Sequence, residues 1–395
     1  MLTMTPQSIS ELVAGVKDDV IGWRRHLHQN PELSFQEENT SQYVYNILES
    51  FGGLELSRPT KTSVVARLIG KQPGKVLAIR ADMDALPILE DTSFEFKSSN
   101  PGVMHACGHD GHTAMLLGTA KILTGLKEHL VGEVRFLFQH AEELFPGGAS
   151  QMVAAGVMEG VGQVIGIHLK SMMEPGIVSV QTGPVNAAPD TFHVRIIGSG
   201  GHAAYPHTTV DSVLIAAQAI TNLQHIVSRN KDPLDRLVLS VTRIMGGTAD
   251  NVIPGCVEFG GTVRSYNPAL RDNVPEWMER IIKGVTAAHG ATYEFEYTRG
   301  YDPVVNDDEV TKIVEETLKG VFGEERVVNG PPTMGGEDFS AFQKAAPGTF
   351  FQVGAGYGPK ESWHPHHHPK FAINEDALPV GVEAFVNLAF RLLQD

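Results

Sequence analysis

Residues 104–112 read Met104-His105-Ala106-Cys107-Gly108-His109-Asp110-Gly111-His112, and the reading of the whole chain turns on them. They bring a cysteine, three histidines and an aspartate together. Two glycines relieve the backbone, and an apolar helical pattern follows at once in Thr113-Ala114-Met115-Leu116-Leu117-Gly118. Thiolate, imidazole and carboxylate are the donors that suit zinc, cobalt or manganese. Cys107 and His109 are two positions apart, a period that turns both side chains the same way in an extended loop. Cys107 by itself reads better as a small buried cysteine with surface histidines nearby. The cluster reads as a metal loop.

Working outward, short apolar runs alternate with helical patterns. Lys75 to Ile79 reads as a strand running into Arg80-Ala81-Asp82-Met83-Asp84. Gly132 to Gln139 reads as a strand ending in His140-Ala141-Glu142-Glu143, and Gln163 to Ile167 as one ending in His168. Helices are expected from Ser8 to the proline at 31, from about Glu37 to Glu49, from His112 to Leu123 and from Pro379 to Leu393. Strands alternating with helices predict an α/β layer with a largely parallel sheet. Ligands in such sheets bind at the carboxyl ends of the strands. Asp82, Asp84, Glu142, Glu143 and His168 all stand at strand ends, and the Cys107/His109 loop lies between the first two strands. Each has a plainer reading alone: a paired acid is a solvated turn, an aspartate a cap. Together they predict a metal centre.

From about Ala187 the texture changes. Thr191 to Ile197, a helix from Thr209 to Ser228, Leu237 to Ile244, Cys256 to Arg264, a helix from Pro275 to Ala288, and Thr292 to Tyr297 follow one another. That is the order of a ferredoxin-like α+β domain. The expected division is 1–186 for the first part of a catalytic domain, 187–298 for the insertion, and 299–395 for the rest. A chain of 395 residues exceeds one ordinary core, so more than one unit is expected. With 31 Lys+Arg against 46 Asp+Glu the net charge is −15, which disfavours nucleic acid and anionic membranes as partners. Two cysteines make no disulfide framework and suit a reducing cytosol. The N-terminus shows no basic, apolar leader, and no apolar run looks long enough to span a bilayer.

These motifs resemble the zinc-type amidohydrolase and aminoacylase family, with hippurate hydrolases and auxin-conjugate hydrolases. The matching residues are Trp23-Arg24-Arg25-His26-Leu27-His28 with Pro31-Glu32-Leu33, Arg80 to Pro87, and His105-Ala106-Cys107-Gly108-His109-Asp110. Further matches are Ala141-Glu142-Glu143, Gly200-Gly201-His202-Ala203, Asn251-Val252-Ile253-Pro254, Gly261-Thr262-Val263-Arg264 and Gly335-Gly336-Glu337-Asp338-Phe339. They span nearly the whole chain in order.

The resemblance implies an αβα catalytic domain interrupted by a lid and dimerisation domain. Two divalent metals per subunit (Zn, Co or Mn) would be held by Cys107, His109, Glu143, His168 and one histidine of the late run. His367-His368-Pro369-Lys370-Phe371 fits the family pattern with His367 as ligand; His366 and His368 stand one register away. Cys107 would take the place of the family's usual bridging carboxylate. Glu142 would be the general base, Asp84 the support of the metal site, and His202 a group polarising the scissile carbonyl. Asn251 and Arg264 would hold a substrate carboxylate, with a structural ion pair the alternative for Arg264. The implied reaction is hydrolysis of N-acyl-L-amino acids by water activated at the metal. The implied setting is a cytoplasmic homodimer or homotetramer. A dipeptidase or carboxypeptidase, a Cys107-dependent hydrolase and a non-catalytic metal-binding protein are the alternatives.

Overall fold

Val134, Phe136 and Phe138 are fully buried on one side of the strand Val131–Gln139, and Leu137 on the other. The same period of two runs through the strand Gln72–Asp82, where Leu77, Ile79 and Ala81 face one core and Ala78 the other. It recurs in Gln163–Lys170 and Gly348–Gly354. Strands buried on both faces belong between two helical layers. The computed structural model describes residues 6–394; the first five residues, on which the expectation about a leader falls, lie outside them.

The chain divides into two compact units. The first comprises Met1–Val185, Val304–Pro332 and Asp338–Asp395. Its sheet has eight strands among the described residues, and the four at its centre are parallel: Val131–Gln139, Gln72–Asp82, Gln163–Lys170 and Gly348–Gly354, side by side in that order. The larger core lies between this sheet and the helices Pro6–Gln29, Glu38–Phe51, His109–Gly125, Asp308–Phe322 and Ala377–Gln394. The smaller core, with Met152 and Phe342, covers the other face. The expected αβα layer with a mostly parallel sheet is present.

The closing helix Ala377–Gln394 corrects one expectation. It has the length and apolar composition of a membrane span. Yet 67% of it is buried inside the protein, as in a core helix, with Leu378, Val382, Phe385 and Leu388 in the larger core.

The second unit comprises Asn186–Pro303 and Thr333–Glu337. Its antiparallel sheet runs Leu237–Gly246, Cys256–Ser265, Ala188–Ile197, Thr292–Thr298, and the helices Ser212–His225 and Pro268–Ala288 pack on it. This is the ferredoxin-like order. The unit extends to 303 rather than 298. Arg271 explains why: it pairs with buried Asp190 at 2.6 Å and with Asp302 at 2.5 Å, and the Gly300 amide donates to Asp190 at 3.0 Å. The second helix begins at Pro268, not Pro275. Asn267 caps it by accepting from the amides of Ala269 and Leu270, proline suits the first helical position, and Pro275 is carried inside.

Candidate metal centre

Asp82 is the last residue of its strand and is fully buried. His112 Nδ1 lies 2.6 Å from Asp82 Oδ1, and a carboxylate can only accept, so this nitrogen carries the proton. His112 Nε2 then accepts from the Leu169 amide at 2.9 Å. Both ring nitrogens are engaged, which makes His112 a brace between two strands and the helix.

The same reasoning orients two other imidazoles. His109 opens the helix His109–Gly125 directly after Gly108, whose φ of +92° needs glycine. Its Nδ1 donates to Asp84 Oδ1 at 3.1 Å, and its buried Nε2 has no hydrogen-bond partner among the described residues. His168 Nδ1 donates to the Leu169 carbonyl at 2.7 Å, leaving its Nε2 lone pair 3.5 Å from Cys107 Sγ. Fixing one nitrogen to present the other is how proteins prepare histidine for a metal.

Two triads result. Cys107, His109 and Glu143 form one, and Cys107, His168 and His366 the other; within each, the ligating atoms lie within 4.8 Å of one another. Cys107 belongs to both. His366 enters here, where the motif pointed to His367. The His367 amide donates to the Ala106 carbonyl at 2.8 Å, and its φ of +65° turns the chain. His366 has both ring nitrogens buried, with no hydrogen-bond partner among the described residues. The His367 side chain is 52% exposed and reaches Glu143 Oε1 from outside at 3.1 Å.

The electrostatics favour a cation. Burial raises the Cys107 thiol pKa well above its ordinary value, and Glu143, Glu142 and Asp82 push it further. Such a thiol is no nucleophile unless positive charge draws its proton off, which argues against the cysteine-hydrolase alternative. Burial works against a charged His109, but Asp82, Asp84 and Glu143 outweigh it and bring its pKa to about 10. The donor set and the orphaned buried nitrogens of His109 and His366 fit divalent metal.

Glu142 Oε2 lies 4.0 Å from His109 Nε2, beside Glu143. Asp84 Oδ2 accepts from Ser34 Oγ at 2.6 Å and from the Glu143 amide at 3.0 Å, so Asp84 braces both His109 and the acid pair. Asp110 pairs instead with Arg24 at 2.7 Å and His28 at 2.9 Å, tying the loop to the first helix. Buried Arg80 and Asp338 also brace the strand ends, Arg80 through Asp82 at 2.7 Å and Asp338 by accepting from Gln139 Nε2 at 2.8 Å. Both stand in quoted motifs, but nothing in the spacing marked their part.

His202, Asn251 and Arg264 belong to the second unit. His202 and Asn251 are exposed and adjacent across the pairing of Gly201–His202 with Val252–Ile253. Arg264 is half-buried and donates to Thr262 Oγ1 at 3.1 Å. The buried ion pair of this region is made by Arg271.

Thiolate, imidazole and carboxylate donors converging where parallel strands end, with an acid beside them, define a metal-binding hydrolase on an α/β sheet. The chain belongs to peptidase family M20/M25/M40, whose model matches residues 78–391. An N-acyl-L-amino acid amidohydrolase of Geobacillus stearothermophilus is 67% identical over 306 residues, 78% of this chain and 83% of its own. Thermostable carboxypeptidase 1 of Saccharolobus solfataricus is 42% identical over 96% of each chain. Among solved structures, the Bacillus subtilis YXEP protein, described as a dinuclear metal-binding peptidase of family M20, aligns with a TM-score of 0.84. It is 37% identical, over 96% of this chain and 99% of that one.

Proposed function

We propose that this enzyme hydrolyses the amide bond of N-acyl-L-amino acids, releasing a carboxylate and a free amino acid. The observation that carries this reading is the pair of ligand triads sharing Cys107, with Glu142 alongside. The amidohydrolase relative at 67% identity supports the substrate class. We assign Cys107, His109, Glu143, His168 and His366 as the residues that would hold divalent metal (zinc, cobalt or manganese), Cys107 being common to both triads. Bound there, divalent cations supply Lewis acidity, lowering the pKa of a water toward ~7 and drawing charge from a carbonyl oxygen.

The chain's own groups do the rest. Glu142 takes the proton of the attacking water and returns it to the leaving amide nitrogen. Asp84 keeps His109 Nε2 directed at the centre. His202 is assigned to the developing oxyanion, and Asn251 and Arg264 to the substrate carboxylate. The second unit is assigned as the lid and the contact between subunits of a homodimer or homotetramer. Exposed Ile244 and Met245 on its edge strand support that. The free thiols of Cys107 and Cys256 suit the cytosol.

The test is metal analysis of purified protein alongside N-acetyl, N-benzoyl and dipeptide substrates. Glu142→Ala is expected to keep metal and lose turnover, and His109→Ala to lose both. Near-normal turnover in Glu142→Ala would remove the base assignment. The carboxypeptidase relative carries a second reading; it prevails if peptides lose their C-terminal residue faster than acylated amino acids are cleaved.

A further inference from the structure

The segment bearing Glu142 and Glu143 leaves its strand through Ala141, at φ +49°. A residue with a Cβ rarely adopts that conformation. Phe35, at φ +65°, is a second such residue. One oxygen answers both: Glu37 Oε1 accepts from the Phe35 amide at 3.0 Å and from the Ala141 amide at 2.8 Å. The other oxygen accepts from Thr62 Oγ1 at 2.9 Å. Glu37 is completely buried, so water does not compete for these bonds. Two residues beyond Ala141, Asp84 holds the Glu143 amide at 3.0 Å. The Gly148 amide closes the loop on the Ala141 carbonyl at 2.9 Å. A Cβ at Gly148 would stand 1.8 Å from the His140 carbonyl oxygen, so only glycine permits that closure.

We propose that Glu37 is a positioning residue for the hydrolysis: it locks Ala141 in its left-handed conformation and thereby sets the direction in which Glu142 points. This rests on Glu142 being the base. Every donor to Glu37 is an amide or a hydroxyl. A glutamine therefore keeps Oε1 for both amides and lets the Thr62 hydroxyl accept from its Nε2–H. Burial, with Asp84 nearby, already brings the Glu37 pKa up to about 7, so a neutral amide is tolerated there. Alanine would leave two strained backbones unpinned, and a displacement of about 1 Å at a catalytic group costs on the order of 100-fold in rate.

The experiment compares wild type, Glu37→Ala and Glu37→Gln as metal-loaded full-length enzyme, with hydrogen exchange followed over residues 139–148. In Glu37→Ala we expect kcat to fall about 100-fold while KM stays within about threefold and metal content is unchanged. Exchange in that segment should quicken at least roughly tenfold. Glu37→Gln should match wild type in every readout. Adding Ala141→Gly to Glu37→Ala should recover part of kcat, since glycine adopts the conformation without the carboxylate. Should Glu37→Ala not fold, Glu37→Asp, one methylene short of the Ala141 amide, carries the same expectation. Exchange that does not change, a kcat loss that merely tracks metal loss, or a Glu37→Gln as impaired as the alanine variant would overturn the proposal. A wild type without metal-dependent amide hydrolysis would sink the functional reading instead, and the exchange comparison would still decide what Glu37 does.

Discussion

His366 shows what a single residue's surroundings decide. Its two buried, unpartnered nitrogens sit with Cys107 and His168, whereas His367 is half-exposed against Glu143. Removing a group that merely orients a ligand costs about 10–100-fold in metal affinity. His366→Ala is therefore expected to lose at least about 100-fold, and His367→Ala far less, as read by competition with a chromophoric chelator. The reverse order would return the ligand to the motif's position. The candidate ligands at strand ends were legible because long apolar runs announce where a strand stops. Cys107 and His109 were legible from their ligand types and their spacing. The late histidine was not. The run 364–368 has no helical or strand period, and the facing of each ring depends on the positive φ of His367, which no residue type there demands. Glu37 was missed for a related reason: a glutamate before a helix reads as part of its first turn, and its true partners are a strained turn and a distant loop.

At the scale of elements, the loop at 104–112 is fastened to the first helix through a buried charge cluster. His28 places Nδ1 2.9 Å from Asp110 and Nε2 3.2 Å from Glu90, so both nitrogens carry protons. Burial and Arg24 oppose that charge, but the two carboxylates win and raise the His28 pKa above its ordinary 6.5. Burial likewise opposes charge on Glu90, yet bonds from His28, Thr92 and the Ser98 amide bring its pKa down from 4.5 to about 2. The signs follow from linkage. The contribution of Glu90 is complete above pH 4.5 and is lost as pH falls through about 2, below which both folded and unfolded carboxyls are protonated. That of His28 is complete below pH 6.5 and is lost as pH rises through its folded value. The melting-temperature difference between wild type and Glu90→Gln should accordingly be widest between pH 4.5 and 6.5 and shrink toward pH 2. A difference that stays constant across the acid limb would show that Glu90 is not the titrating group. Elements themselves were largely legible, since short apolar runs marked the strands and apolar residues at helical spacing marked the helices. The helix expected from Pro275 falls short of Pro268–Ala288, because a proline looks like a helix start while the asparagine cap at 267, about two turns upstream, begins it.

For the whole molecule, composition and the order of elements conveyed two units of different texture, and the structure contains both. The boundary at 303 was hidden because it depends on a buried ion pair between residues far apart in sequence. Removing one partner of such a pair costs about 3–5 kcal/mol. Asp190→Asn should therefore destabilise the second unit by roughly 3 kcal/mol in denaturant titration while leaving metal affinity of the first unit unchanged. An effect below about 1 kcal/mol would mean that the pair is screened as a surface pair is. Cys107 belongs to both ligand triads, so one side chain would serve two metal ions. Counting the ions bound per chain, by native mass spectrometry in apo-protein titrated with zinc, tests this most directly. Wild type is predicted to take two ions and Cys107→Ala to lose tight binding at both sites together. A wild type that saturates with one ion, or a Cys107→Ala that still binds two as tightly, would contradict it.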